Sequence, residues 1–234
     1  MTSDRTLNFE RKRIWLALLP AIVFVALVWL SFVLDKSGAL NMELRRWGVL
    51  PREAGGLIGI VFSPFIHSSL SHLLSNSLPL LILISFHFYF YSKIAVKSFV
   101  FLWLISGFIT WCIGRDAYHV GASGVVFSLI SFLFFSGIFR KYVPLIALSL
   151  IVAFVYGSSI WSIFPFAEYI DTQISWEGHL SGVVSGFVIA FIYRKHGPQK
   201  PEVAWEDDEM EEWEEGDDWF FVESDKENEP PASV

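Results

Sequence analysis

Long apolar runs separated by short polar joints fill the first 200 residues and predict helices rather than strands. A bilayer core ~30 Å thick needs about 20 mostly apolar residues per helix. Such runs lie near residues 14–34, 72–91, 98–113, 120–139, 143–160 and 178–193. Several are short or polar at one end, as expected of helices buried among their neighbours. The first is too long for a secretory signal peptide, and no small-residue cleavage site follows it. The reading is an all-α membrane protein with six transmembrane helices. Residues 1–13 form an N-terminal segment, 14–196 the membrane domain, and 197–234 a tail. The long joint between the first two runs, about 35–66, mixes Glu43, Arg45, Arg46, Trp47 and Pro51. That mixture suits a segment in the headgroup region or an irregular surface loop.

Lysine and arginine set the orientation. Arg5, Arg11, Lys12 and Arg13 precede run 1, and Lys93 and Lys97 separate runs 2 and 3. Arg140 and Lys141 separate runs 4 and 5, and Arg194, Lys195 and Lys200 follow run 6. These eleven share one side. Lys36, Arg45, Arg46, Arg52 and Arg115, only five, lie on the other, although it owns the longest joint. Both termini are therefore expected in the cytoplasm, with a bacterial plasma membrane as the setting.

The composition agrees. Of 234 residues, 53% are hydrophobic and 18% charged, whereas a soluble domain carries about 25% charge. The charge is also divided. Residues 201–234 hold fifteen of the twenty-four acids and one of the seventeen bases, a net −14. The rest of the chain is net +7. In the tail Trp205, Trp213, Trp219, Phe220 and Phe221 are interleaved with acids too dense for a packed core, so disorder is expected. Such a tail suits a basic cytoplasmic partner. It has the wrong sign for nucleic acid and for an anionic membrane surface. The single cysteine, Cys112, excludes an internal disulfide and any multi-cysteine metal site. Its apolar neighbours suggest a buried packing residue.

Polar side chains inside a membrane are costly and point to function. Runs 2, 4 and 6 all descend from the outer face. His72 and Asn76 lie near the outer end of run 2, Ser123 of run 4 and His179 of run 6. The charge-derived topology thus puts all four at similar depth, although none was used to derive it. Ser123 sits in Gly121-Ala122-Ser123-Gly124, where small neighbours leave its hydroxyl open to a substrate or helix. A helix N-terminus there would offer unpaired N–H groups to an oxyanion. Gly178, Gly182 and Gly186 form a small-residue stripe beside His179, suited to close packing on run 4. An imidazole brought to Ser123 in this way can take its proton. His72 and Asn76, four apart on one helical face, can both donate to an oxyanion. Taken singly, each motif has a plain reading as packing glycines or interhelical hydrogen bonds. No acid is well placed to complete a triad. Asp116 lies in the joint before run 4, and Asp171 and Glu177 precede run 6, so a dyad is the simpler arrangement.

The set His67, His72 and Asn76, then Gly121-Ala122-Ser123-Gly124, then Gly178-His179 with Gly182 and Gly186, resembles the rhomboid intramembrane serine proteases over residues 14–196. The resemblance implies Ser123 as nucleophile and His179 as base. It also implies His72, Asn76 and the Ser123 N–H as the oxyanion site, and a structural His67. Gly121, Gly124, Gly182 and Gly186 would serve helix packing. The implied substrates are membrane-anchored proteins cut within or near the bilayer, with no metal or cofactor. Two positions depart from the family. A Trp-Arg pair often found about eight residues before the His67 position is absent, since Leu57-Ile58-Gly59-Ile60 stands there. Phe127 replaces the tyrosine that often packs on the histidine. One alternative is a non-catalytic member of the fold that binds transmembrane helices. A metal transporter using His67, His72 and His179 fits less well, because it would want carboxylates at the same depth.

Overall fold

The structure, a computed structural model, describes residues 2–39, 42–166 and 174–201. Asp171 and the part of the expected tail beyond Pro201 lie outside the described residues. The chain divides into two units, Met1–Lys200 and Pro201–Val234, and the described helices belong to the first. Its long helices are α1 (Thr2–Lys36), α2 (Leu70–Phe90), α3 (Ala95–Ile113), α4 (Ser123–Arg140), α5 (Val143–Tyr156) and α6 (Trp176–Ile192). A 3-10 segment, Gly157–Ile163, prolongs α5. The protein is an all-helical, multi-pass integral membrane protein. Five of these spans are long and apolar enough to cross a bilayer. The sixth, α6, has 17 residues, roughly 26 Å at 1.5 Å per residue, and packs against α3 and α4.

Helix α4 is the centre. Of its apolar window 61% is buried, against 22–33% in the other four spans. Leu129, Phe132 and Leu133 of α4 meet Leu80, Leu83 and Ile84 of α2, Leu102 of α3, Leu148 of α5 and Ile189 of α6 in one core. Outward-facing residues such as Leu30, Leu150 and Phe154 are exposed, as a lipid-facing surface should be. Cys112 is also exposed. This corrects its expected burial: it faces away from the bundle, where lipid satisfies an apolar residue as well as protein does.

The joint between α1 and α2 is a chain of short turns, 3-10 at Leu44–Trp47 and Ala54–Ile58, helical at Gly59–Phe62, then 3-10 at Ser63–Phe65. No Trp-Arg pair anchors it. Indoles from α3 do so instead, Trp103 Nε1 donating to the Ile60 carbonyl at 3.0 Å and Trp111 Nε1 to the Glu53 carbonyl at 2.9 Å. Arg52 Nη1 donates to the Gly114 carbonyl at 2.7 Å. The joint also reaches the segment before α4. Val49 and His119 exchange backbone hydrogen bonds of 2.9 and 2.8 Å, and Gly121 N–H donates to the Ser63 carbonyl at 2.9 Å.

Candidate functional site

Helix α4 starts at Ser123, three residues later than the apolar run suggests. Gly121 explains the delay. Its φ of +111° is outside the helical range and strained for any side chain. Ser123 is therefore the first helical residue, and its N–H has no acceptor within the helix. A Cβ on Gly121 would lie 2.5–2.6 Å from the His72 ring. Gly121 thus differs from the helix-packing role expected of it. It makes room for one side chain of α2, the His72 imidazole, rather than for a close backbone approach.

His72 lies in the first turn of α2, whose end is capped by Ser69 Oγ accepting the His72 N–H at 3.2 Å. The His72 Nδ1 is 3.4 Å from Ser68 Oγ. One turn on, the buried Asn76 donates from Nδ2 to the His72 carbonyl at 2.9 Å and lies 3.4 Å from His67 Nε2. His67 is buried behind them, its ring 4.9 Å from that of His72. Burial, then the adjacent His72, lowers the His67 pKa to about 3. His67 is therefore neutral, and an unprotonated Nε2 can accept from Asn76.

His179 enters from the first turn of α6, capped by Ser175 Oγ accepting the Gly178 N–H at 3.1 Å. Its ring stacks on Phe127 of α4, centroids 4.3 Å apart and planes 18° apart. Phe127 lacks a hydroxyl but supplies a flat wall. Nδ1 of His179 faces the Ser162 carbonyl at 3.1 Å and Ser162 Oγ at 3.0 Å. Ser162 was not singled out in the sequence. It sits in the 3-10 segment after α5, and no local pattern ties it to a histidine 17 residues on.

The glycine stripe explains how α6 reaches α4. A Cβ on Gly182 would lie 2.4 Å from the Gly124 carbonyl oxygen, and one on Gly186 2.4 Å from the Ser128 carbonyl oxygen. The two backbones are in direct contact there. Gly124 offers only its carbonyl, since a Cβ of its own would meet nothing nearer than 3.5 Å.

His72, Asn76, Ser123, Phe127 and His179 line one cleft of about 590 Å³. Ser68, Ser71, Tyr156 and Ser175 share its walls. Among the described residues no direct hydrogen bond joins Ser123 Oγ to His179. Asp116 pairs with Arg52, and Glu177 pairs with Arg115 at 3.5 Å.

A family profile described as the Rhomboid domain matches residues 54–196. An uncharacterised protein of Mycobacterium tuberculosis (strain ATCC 25618 / H37Rv) is 32% identical over 181 residues, covering 73% of this chain and 72% of its own. A candidate rhomboid protease of Bacillus subtilis (strain 168), YdcA, is 26% identical over 202 residues, 80% of this chain and 94% of its own. A candidate rhomboid protein of Acanthamoeba polyphaga mimivirus is 29% identical over 150 residues, 58% of this chain and 75% of its own. The chain belongs to the rhomboid family.

Proposed function

We propose that this protein is an intramembrane serine endopeptidase that cuts membrane-anchored proteins within or near the bilayer. The observation that carries the reading is the single cleft lined by Ser123, His179, His72 and Asn76. In this reading Nδ1–H of His179 donates to the Ser162 carbonyl, which accepts only. Nε2 is then the unprotonated nitrogen, the form a general base needs. It takes the proton of Ser123 as Oγ attacks the scissile carbonyl, and returns it to the leaving amine. The developing oxyanion is met by His72, Asn76 and the Ser123 N–H. Asn76 can turn one of its two amide hydrogens from His67 to the oxyanion. The Ser123–His179 hydrogen bond closes when substrate excludes water, since catalytic hydrogen bonds are often long without substrate.

Residues 14–196 are then the catalytic membrane domain, with 1–13 and 197–234 in the cytoplasm of a bacterial cell. The tail is left for a basic partner. A rival reading, a non-catalytic relative that binds transmembrane helices, draws on the absence, among the described residues, of a direct Ser123–His179 hydrogen bond. One assay decides. Purified wild type should cleave a single-pass reporter in proteoliposomes, and Ser123→Ala and His179→Ala should not. Folded Ser123→Ala retaining more than a tenth of wild-type activity overturns the protease reading.

A further inference from the structure

The segment before Ser123 is joined to the start of α6 by side chains that the proposed chemistry does not use. His119 is four residues before Ser123, and Ser175 is four residues before His179. His119 is 7% exposed. Its Nδ1 lies 2.6 Å from Ser175 Oγ, and its Nε2 lies 3.1 Å from the Arg115 carbonyl. A carbonyl only accepts, so Nε2 carries the hydrogen and Nδ1 is a lone pair. The Ser175 hydroxyl must then donate to Nδ1. Its oxygen in turn accepts the Gly178 N–H at 3.1 Å, and the Ser175 carbonyl accepts the His179 N–H at 3.1 Å. One directed chain of hydrogen bonds therefore runs from the turn that carries His179 to the loop that carries Ser123.

Arg115 and Glu177 strengthen the same junction. Glu177 is 1% exposed. Its Oε1 accepts the Arg115 N–H at 3.3 Å, and Arg115 Nη2 donates to the Ile174 carbonyl at 3.0 Å. Burial lowers the His119 pKa, and the charges of Arg115 and Arg52 act in the same direction. The bond to the Arg115 carbonyl and the charge of Glu177 oppose them. The net shift is downward, the direction that favours the neutral ring this chain of bonds requires.

The glycine contacts at Gly182 and Gly186 set how closely α4 and α6 approach. A glycine has no side chain to interlock, so these contacts fix how far apart the helices lie but not how the turns carrying Ser123 and His179 are rotated towards each other. We infer that His119 and Ser175 are positioning residues whose hydrogen bond sets the reach between Ser123 and His179, an inference that rests on the dyad reading above. Neither needs to touch substrate. A shift of ~1 Å between reacting groups can cost about 10² in rate, so losing the bridge should appear in kcat before it appears in KM.

The test uses full-length protein in proteoliposomes, with kcat, KM and thermal unfolding measured for each variant. His119→Leu removes the acceptor but leaves the Ser175 cap of α6 intact. It should lower kcat about tenfold or more, with KM within about twofold and the unfolding temperature within a few degrees. His119→Asn should recover most of the loss, because Oδ1 stands near the place of Nδ1. The double variant His119→Leu/Ser175→Ala should be no slower than the worse single variant, as for two ends of one bond. If His119→Leu fails to fold, Ser175→Ala against Ser175→Thr tests the bridge together with the α6 cap, since threonine keeps the hydroxyl that serves both. Wild-type kcat in His119→Leu, no recovery in His119→Asn, or losses that multiply in the double variant overturn the inference. Wild type and Ser123→Ala run alongside. If folded Ser123→Ala keeps more than a tenth of wild-type activity, or wild type itself is inactive, the dyad reading has failed. If they differ and the His119 variants do not, the positioning role alone has failed.

Discussion

Replacing Gly182 by valine puts a side chain where α6 touches the backbone of α4. The new Cβ would start 2.4 Å from the Gly124 carbonyl oxygen, 2.8 Å from Phe127 Cβ and 3.0 Å from Ser128 N. Ordinary contact for a Cβ begins near 3.4 Å. The shortfall against Gly124 is about 1 Å, and two of the three opposing atoms are helical backbone. No rotamer change relieves it, so the helices must separate. Phe127 supports the His179 ring and Gly124 follows Ser123, so the separation acts directly on the proposed dyad. Overpacking of this kind costs ~1–3 kcal/mol, and ~1 Å of misplacement costs about 10² in rate.

Both quantities are measurable in one preparation. Gly182→Val should lower the unfolding temperature and reduce reporter cleavage by about a hundredfold. Gly124→Ala is the stability control, because its new Cβ would meet only Gly178 O at 3.5 Å and Ser106 Oγ at 3.6 Å. It should unfold at the wild-type temperature or slightly above, since alanine is favoured over glycine in a helix by ~1 kcal/mol. Unchanged cleavage and unchanged unfolding in Gly182→Val would refute the argument, because a Cβ placed 2.4 Å from a backbone oxygen cannot be accommodated without a shift.

As oxyanion donors, His72 and Asn76 should lower kcat when changed to alanine, on the order of 10²-fold for the more important one. Unchanged turnover in both single variants would leave them as interhelical hydrogen bonds only. Ser162→Ala keeps the carbonyl that holds His179 Nδ1 and removes only the hydroxyl. It should cost less than tenfold in kcat, one neutral hydrogen bond being worth about 1 kcal/mol, and a loss as deep as His179→Ala would show that the hydroxyl has a larger task. Truncation after Gln199 should preserve cleavage and unfolding temperature in detergent, because none of the proposed catalytic residues lies in the removed segment and its dense acids do not suit a packed core. Truncation after Lys195 should lower the unfolding temperature. Arg140 is buried and donates to the His196 and Pro198 carbonyls at 2.6 and 3.1 Å, and charged hydrogen bonds are worth ~1.5–3 kcal/mol each. Equal unfolding temperatures for the two truncations would show that the Arg140 bonds to His196 and Pro198 add nothing to stability.

Some of this was legible because a membrane makes sequence signals coarse and strong. An apolar run near 20 residues has few alternatives, so the helices were found, and a polar residue inside such a run stands out. Ser123, His179, His72 and Asn76 were singled out in that way, and the fold gathers them around one cleft. The same solvent erases other signals. In water an apolar stripe marks the buried face of a helix, but in lipid every face is apolar. Composition therefore could not say which way Cys112 points. The start of α4 was missed for a local reason. Hydropathy runs through Val120 and Ala122 without a break, and only the positive φ of Gly121 stops the helix before Ser123. That delay is chemically consequential, since it places the Ser123 N–H at a helix start rather than inside a turn. Ser162, His119 and Ser175 stayed hidden because each acts through a partner 17 or 56 residues away. Such pairs leave no periodic trace and become visible only when the short turns between helices have definite geometry. The helices of this protein are thus readable from solvent preference alone, whereas the alignment of its proposed dyad depends on turns, caps and single hydrogen bonds whose partners only the fold brings together.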